Sequence, residues 1–280
     1  MEKQKFSTVI VPKNGWLDIN LKEVWKYRDL IVLFVRRNFV SQYKQTILGP
    51  AWALIQPLMT TVVFTVVFGS LAGLAADGVP TFLFYLSGTV AWQYFSTCLT
   101  GTAGTFTGNA AILGKVYFPR IVMPVSTVLT NLIAFAIQFA MFLVCLAFYW
   151  IDGQVYPNLL ILMLPILILH MACLGLGTGV IISSLTTKYR DLTMVVGFGV
   201  QLWMYATPVT YDINIIPEKF MWLYMLNPMT PIINTFRKAF LGIGTFDLNY
   251  YLLSWAVTLV ILFFGVMLFS RVEKTFMDTV

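Results

Sequence analysis

Six stretches of this 280-residue chain contain no Asp, Glu, Lys or Arg: 48–76, 78–114, 121–151, 153–187, 192–211 and 248–270. A chain folding in water carries charge on about a quarter of its residues, whereas here only 11% are charged and 59% are hydrophobic. Each stretch is long enough to hold one helix of the roughly 20 apolar residues that cross a bilayer core. The expected fold is therefore an all-α membrane protein of six transmembrane helices with both termini on one side. The spans fall near 49–71, 80–100, 121–150, 158–184, 192–211 and 249–270.

Lys and Arg counted by loop give the orientation, because positive loops stay on the cytoplasmic side. With the N-terminus inside, the inner segments hold all nine basic residues before position 48, then Lys115, Arg120, Lys188, Arg190, Arg271 and Lys274. Only Lys219, Arg237 and Lys238 fall outside, so the chain is read as N-in and C-in. The net charge of +6 is then an orientation signal and implies no nucleic-acid partner. Cys98, Cys145 and Cys173 fall inside spans with no CxxC pair, which points to buried thiols and to neither a disulfide nor a metal site. The first sixteen residues have no apolar h-region, so no cleavable signal peptide is expected.

Residues 20–57 set the geometry of the inner side. Trp25, Ile31, Phe34, Val35 and Phe39 are too apolar for a solvated arm, yet Lys22, Lys26, Arg28, Arg36, Arg37 and Lys44 interrupt them before any run could cross a membrane. That pattern suits an amphipathic helix lying in the headgroup plane; a helix packed on a cytoplasmic partner is the alternative. Gly49-Pro50 joins it to the first span, where Pro57 should kink the helix. Residues 1–47 thus form a cytoplasmic arm and interface helix, and 48–280 a six-span domain.

Within that domain, residues 101–120 are Gly- and Thr-rich, then basic, and are expected to lay a short helix over 107–115 along the inner surface. Gly108 to Gly114-Lys115 resembles a phosphate-binding loop, but five residues separate the glycines and Val116 replaces the magnesium-binding Ser or Thr. It is not a nucleotide site. Span 3 carries Pro124, Asn131 and Gln138. Span 4 carries Gly175, Gly177 and Gly179, a spacing that lets helices approach closely, and the lone histidine, His170, which is read as a packing residue. Residues 212–248 must begin and end outside yet cannot hold two crossings, so they are read as re-entrant or interfacial helices over 217–226 and 230–241.

Absent chemistry narrows the function. No carboxylate lies inside a charge-free stretch, although ion-coupled transporters usually place ionisable groups there. No G-x-S-x-G or H-E-x-x-H is present, and no catalytic residue is expected. Any active transport must therefore draw energy from another polypeptide through the cytoplasmic segments.

The chain resembles the permease subunit of ABC-2-type polysaccharide exporters, the family that moves O-antigen, capsule and teichoic acid chains. The matching residues are Tyr43-Lys44-Gln45-Thr46-x-Leu48-Gly49-Pro50-x-Trp52, Gln56-Pro57, Tyr189-Arg190-Asp191-Leu192, Thr207-Pro208-Val209 and Asn227-Pro228-Met229 with Arg237. The resemblance runs from about residue 20 to the C-terminus. It implies a homodimer working with two ATP-binding-cassette subunits that carry the ATP and magnesium, in a bacterial inner membrane. It also implies a lipid-linked polysaccharide as cargo, a coupling segment at 101–120 and an external gate at 212–248 that includes Asn227, Pro228 and Arg237. Lys115, Tyr117, Lys188, Arg190 and Asp191 would contact the ATPase.

Trp92, Tyr94, Phe95, Trp203, Tyr205 and Tyr211 are candidates for a sugar-tolerant lining, with ordinary packing as the alternative. Arg37 and Lys44 would meet a lipid pyrophosphate, or serve only as inner-side anchors. A permease for a small drug or lipid is the competing cargo assignment, and a membrane scaffold that only recruits a partner is a third.

Overall fold

The computed structural model describes residues 21–113, 116, 118–187, 189 and 191–279, with side chains except at 21–23, 110, 111, 113 and 273–279. All regular structure among them is helical. The interface segment is two helices, α1 (Leu21–Lys26) and α2 (Arg28–Tyr43), with Tyr27 out of helical geometry between them. A link containing Gln45 and Gly49, both at positive φ, leads through the 3₁₀ turn Gly49–Ala51 into α3 (Trp52–Phe64), which widens into a π-helix at Thr65–Leu71. The chain continues through α4 (Thr81–Ala103), α5 (Thr105–Leu113) and α6 (Val122–Ile151). A 3₁₀ turn, Leu159–Met163, opens α7 (Leu164–Thr186), and α8 (Leu192–Tyr205), α9 (Glu218–Leu226), α10 (Met229–Leu241) and α11 (Leu248–Thr279) follow.

Among the described residues, four stretches are long and apolar enough to cross a membrane: Gly49–Leu71, Val122–Ile151, Leu159–Thr186 and Leu248–Val272. The other two expected spans depart for different reasons. The 23-residue α4 is about 35 Å long at ~1.5 Å per residue, but carries too many Thr, Ser, Gly and Gln residues to read as apolar. It can carry them because protein surrounds it: α3, α6, α7, α8 and α10 all pack on it, and most of its residues are buried. α8 has only 14 residues, about 21 Å against a hydrocarbon core of about 30 Å. It stops six residues before the expected end, because Ala206 to Tyr211 leave the helix for an irregular turn containing Pro208.

The centre is a close-packed layer of α4, α7 and α11. A methyl group on Gly175 would lie 2.7 Å from Cys98 Cβ, one on Gly179 would lie 2.6 Å from Thr102 Cβ, and one on Gly177 would lie 2.9 Å from Leu262 Cα. Gly265 of α11 returns the approach, with its Cβ position 2.6 Å from the Gly177 carbonyl oxygen. The glycine run thus brings α7 against α4 on one side and α11 on the other, as its spacing predicts. His170, also on α7, ties it to α11. Its Nε2 pairs with Thr258 Oγ1 at 2.9 Å and its ring stacks on Trp255 at 4.1 Å. That is a packing role. The three cysteines are free, Cys98 buried and Cys145 and Cys173 half-buried.

Opposite ends of α4 carry different structures. Beyond its C-terminus, Phe34 of α2 meets Phe106, Phe118, Val122, Met123, Val180 and Phe269 in a small apolar cluster. Beside its N-terminal turns sits α10 with the turn that ends α8.

Candidate functional site

α10 is buried on almost every side, polar residues included. Its sequence repeats Ile233, Phe236, Arg237 and Phe240 on one apolar face, so Arg237 enters the bundle with them. The side chain is 2% exposed. A buried guanidinium is costly unless its donors are met. Here Nη1 donates to the carbonyl oxygens of Pro208 at 2.6 Å and Tyr211 at 3.4 Å, and Nη2 donates to that of Val209 at 2.9 Å. The guanidinium carbon also lies 3.7 Å from the centre of the Phe84 ring, a favourable cation–π distance.

Gly88 makes room for this. A Cβ there would sit 3.0 Å from Arg237 Nη2 and 3.2 Å from Val209 O. Burial lowers the guanidinium pKa to about 9, while Asp212, Tyr85 and Tyr211 oppose the shift, so the group stays charged at neutral pH. Arg237, expected on an external gate, is in this chain an internal anchor whose side chain meets backbone instead of solvent.

Asn227 and Pro228 make the second half of the joint. Asn227 Oδ1 accepts from Trp203 Nε1 at 2.9 Å and from the Met229 amide at 3.1 Å, which caps the first turn of α10. Its Nδ2 donates to Thr207 Oγ1 at 2.8 Å and to Ala206 O at 3.4 Å. Ser254 Oγ of α11 donates to Pro228 O at 2.8 Å. The far end of α10 closes with Gly242 in the left-handed region, as a helix C-cap requires, and Asn158 Nδ2 donates to Lys238 O at 2.7 Å.

The Thr207-Pro208-Val209 and Asn227-Pro228-Met229 motifs, twenty residues apart, are therefore one structural joint. Asn227→Asp is the sharp test of it. An oxygen in place of Nδ2 would face Ala206 O and Thr207 Oγ1, and the variant is expected to lose about 1–3 kcal/mol, read as a lower melting temperature in detergent. Asn227→Ser, smaller but uncharged, should lose less.

The expected lining aromatics separate. Trp92, Phe95 and Trp203 form one cluster, with centroids 5.2, 6.4 and 5.0 Å apart, while Tyr94 packs against Phe135 at 4.9 Å. Trp92, Tyr94 and Phe95 are each no more than 4% exposed; in this chain they face protein. Tyr205 is exposed on α8. Tyr211 lies edge-on to Tyr224 at 6.4 Å and lines an apolar groove of about 480 Å³ with Leu74, Ile216 and Phe220.

At the α5 end, Arg37 commits its donors to Asn38 Oδ1 (2.9 and 3.2 Å) and Asn109 Oδ1 (3.3 Å), and lies over the Phe34 ring. It fastens α2 to α5. Lys44 is exposed just past α2, and Asp191 is exposed at the start of α8. Val32, Leu33 and Val40 of α2 also remain exposed, so α2 packs one face on the bundle and keeps apolar surface on the other. Lys115, Tyr117, Lys188 and Arg190 lie outside the described residues. No group of three or more metal-ligating side chains occurs among the described residues.

Sequence reasoning missed Gly88 and Phe84, and named Thr207 within a motif without giving it a task. The signal available for Thr207 was its place in a Pro-containing motif; for Gly88 and Phe84 no local signal exists, because only the packing of α10 on α4 gives them a task.

The ABC-2 type transporter family profile matches residues 29–241. Among curated proteins, the O-antigen export system permease protein RfbA of Klebsiella pneumoniae is 28% identical over 89% of this chain and 94% of that protein. The Myxococcus xanthus protein of the same name is 27% identical over 93% and 98% of the two chains. The polysialic acid transport protein KpsM of Escherichia coli is 22% identical over 87% and 93%.

Proposed function

Since this chain belongs to the ABC-2 type transporter family of membrane permeases, we propose that it is the membrane subunit of an ATP-driven exporter of lipid-linked surface polysaccharide in a bacterial inner membrane. The observation that carries this reading is similarity over nearly the whole length to relatives named for O-antigen export, polysialic acid transport and capsule polysaccharide export. A small drug or lipid as cargo has no counterpart among them. The charge-free spans supply no ion-coupling group of their own, so ATP and magnesium belong to two separate ATP-binding-cassette subunits.

Two copies of this chain form the passage. What supports a second copy is α8: at 14 residues it is too short to cross alone, yet Met194, Val195, Phe198 and Leu202 remain exposed. Gly197 and Gly199 have open space where a Cβ would stand. The chain is N-in and C-in with six crossings, α4 and α8 completing the set inside the assembly. Residues 101–120 and 186–192 transmit the ATPase motion, with Lys115, Tyr117, Lys188, Arg190 and Asp191 at the contact, and α9 and α10 form the external gate within 212–248. Lys44, exposed beside the link to α3, meets the lipid pyrophosphate. Arg37 supports that site from its contacts with α5.

Deleting the gene tests this. Cells are expected to lose a surface glycan and to accumulate its lipid-linked precursor at the cytoplasmic face, and the purified protein should retain an ATPase subunit. Unchanged surface glycan with no accumulated precursor would overturn the assignment.

A further inference from the structure

His170 does more than pack α7 on α11. It is the only histidine in the chain, and it is fully buried. Its Nε2 lies 3.3 Å from Ser254 Oγ as well as 2.9 Å from Thr258 Oγ1. Trp255 stacks on the ring and Tyr251 meets it edge-on, with centroids 5.6 Å apart. Ser254 is the member of this cluster that reaches α10. Its hydroxyl donates to Pro228 O at 2.8 Å, and Pro228 is the residue from which α10 starts.

That contact is chemically constrained. A proline has no N–H, so its carbonyl is the only polar group by which a neighbour can hold it. A serine hydroxyl has one proton, and here Pro228 O takes it. Ser254 Oγ can then only accept from the imidazole, which puts the ring proton on Nε2. The other tautomer would set lone pair against lone pair at 3.3 Å. It would also bury an N–H at Nδ1, which has no partner among the described residues. Among buried backbone groups an orphaned N–H is rarer than an under-satisfied acceptor, and the same desolvation cost applies to a ring N–H. The result is a directed chain, Nε2–H to Ser254 Oγ and Ser254 O–H to Pro228 O, sealed from solvent.

A helical serine has a competing acceptor in the carbonyl one turn back. Thr178 and Ser184 of α7 both take that option, whereas Ser254 turns outward to Pro228. We propose that His170 is a positioning residue for α10. By donating to Ser254 it holds that hydroxyl off its own helix and on Pro228, which fixes the start of α10 against α7 and α11. The link with transport rests on the reading of α10 as part of the external gate; the hydrogen-bond chain does not.

The test separates the ring nitrogen from the ring. Full-length protein in nanodiscs, purified without a histidine tag, carries isotope-labelled histidine. Its single pair of ring-nitrogen signals is expected to be that of the Nε2–H form. Hydrogen exchange is then followed on the peptide carrying Met229 and Thr230, where α10 begins. His170→Phe keeps the stack on Trp255 but has no donor, while His170→Gln loses the stack but can place an amide N–H where Nε2 lies. His170→Phe is expected to speed exchange at α10 by about three- to ten-fold, the shift allowed by one lost hydrogen bond. His170→Gln should stay near wild type. Ser254→Ala should match His170→Phe, and the double variant should be no faster than either single one.

An Nδ1–H signal pattern, or faster exchange in His170→Gln with none in His170→Phe, would overturn the proposal and leave the ring as packing. So would additive effects of the two substitutions. If His170→Phe does not insert, Ser254→Ala carries the same prediction, and wild-type exchange at α10 in that variant would overturn it. Faster exchange in purified His170→Phe with undiminished surface glycan in the variant strain would overturn the part played in the gate. Unchanged glycan on deleting the gene would instead remove the export reading and leave the exchange result standing.

Discussion

Arg237→Leu is expected to unfasten the turn after α8 and to lower stability by about 2–4 kcal/mol, with loss of export. The carbonyl groups of Pro208, Val209 and Tyr211 would lose their donor in a place where water does not reach easily, and each buried unmet carbonyl costs about 1–3 kcal/mol. Removing the buried charge returns part of that, because desolvating a guanidinium is itself unfavourable. Arg237→Lys separates the two contributions. An ammonium keeps the charge but offers no planar fork to reach adjacent carbonyls and stacks less well on Phe84. Lysine is therefore expected to melt close to the leucine variant. If Arg237→Lys matches the wild type in melting temperature and export, charge alone matters and the fork geometry is irrelevant.

Gly179→Ala should be among the most damaging single-methyl additions at the described glycines. The new Cβ would lie 2.6 Å from Thr102 Cβ and 2.8 Å from Leu99 O, atoms that cannot swing aside because they belong to the backbone and first side-chain carbon of α4. Overpacking of this kind costs typically about 1–3 kcal/mol, and here the upper end applies. Gly199→Ala is the control on the neighbouring helix, with nothing within 4 Å of its Cβ position. It should leave the melting temperature of the isolated chain unchanged or slightly higher, since alanine favours helix over glycine by about 1 kcal/mol. Equal melting of the two variants would show that α4 and α7 do not approach as closely as described.

Charge and hydropathy located most helices well because a bilayer penalises each misplaced charge separately. Val122–Ile151 and the pair Glu218–Leu226 and Met229–Leu241 fall within two residues of the ranges read from composition and turn signals. The same argument overshot at α8, where apolarity continues to Tyr211 but the helix does not. Apolar content says that a segment is buried, not that it is helical. α2 shows the converse limit: its basic and apolar residues indicate a helix at an interface, but not that Arg37 fastens it to α5 and Phe34 to Phe118 just before α6.

The aromatic residues of α4 mark the same boundary. Their spacing admits a lining or a packing role, and the choice depends on which neighbours surround α4. In the folded chain α6, α7, α8 and α10 cover them, so Trp92 and Phe95 meet Trp203 and Tyr94 meets Phe135.

The amino-acid order alone establishes that this chain lives in a membrane, where most helices begin and end, which family it belongs to, and that the spans hold no catalytic or ion-coupling acid. These follow from residue type and order, because transfer of charge into hydrocarbon is penalised residue by residue. That Arg237 is an anchor, and that Asn227 and Thr207 share one joint, emerges from the fold alone. Such roles depend on which donors and acceptors meet across tens to more than a hundred residues of chain. Buried polar groups have no fixed energy until their partners are in place.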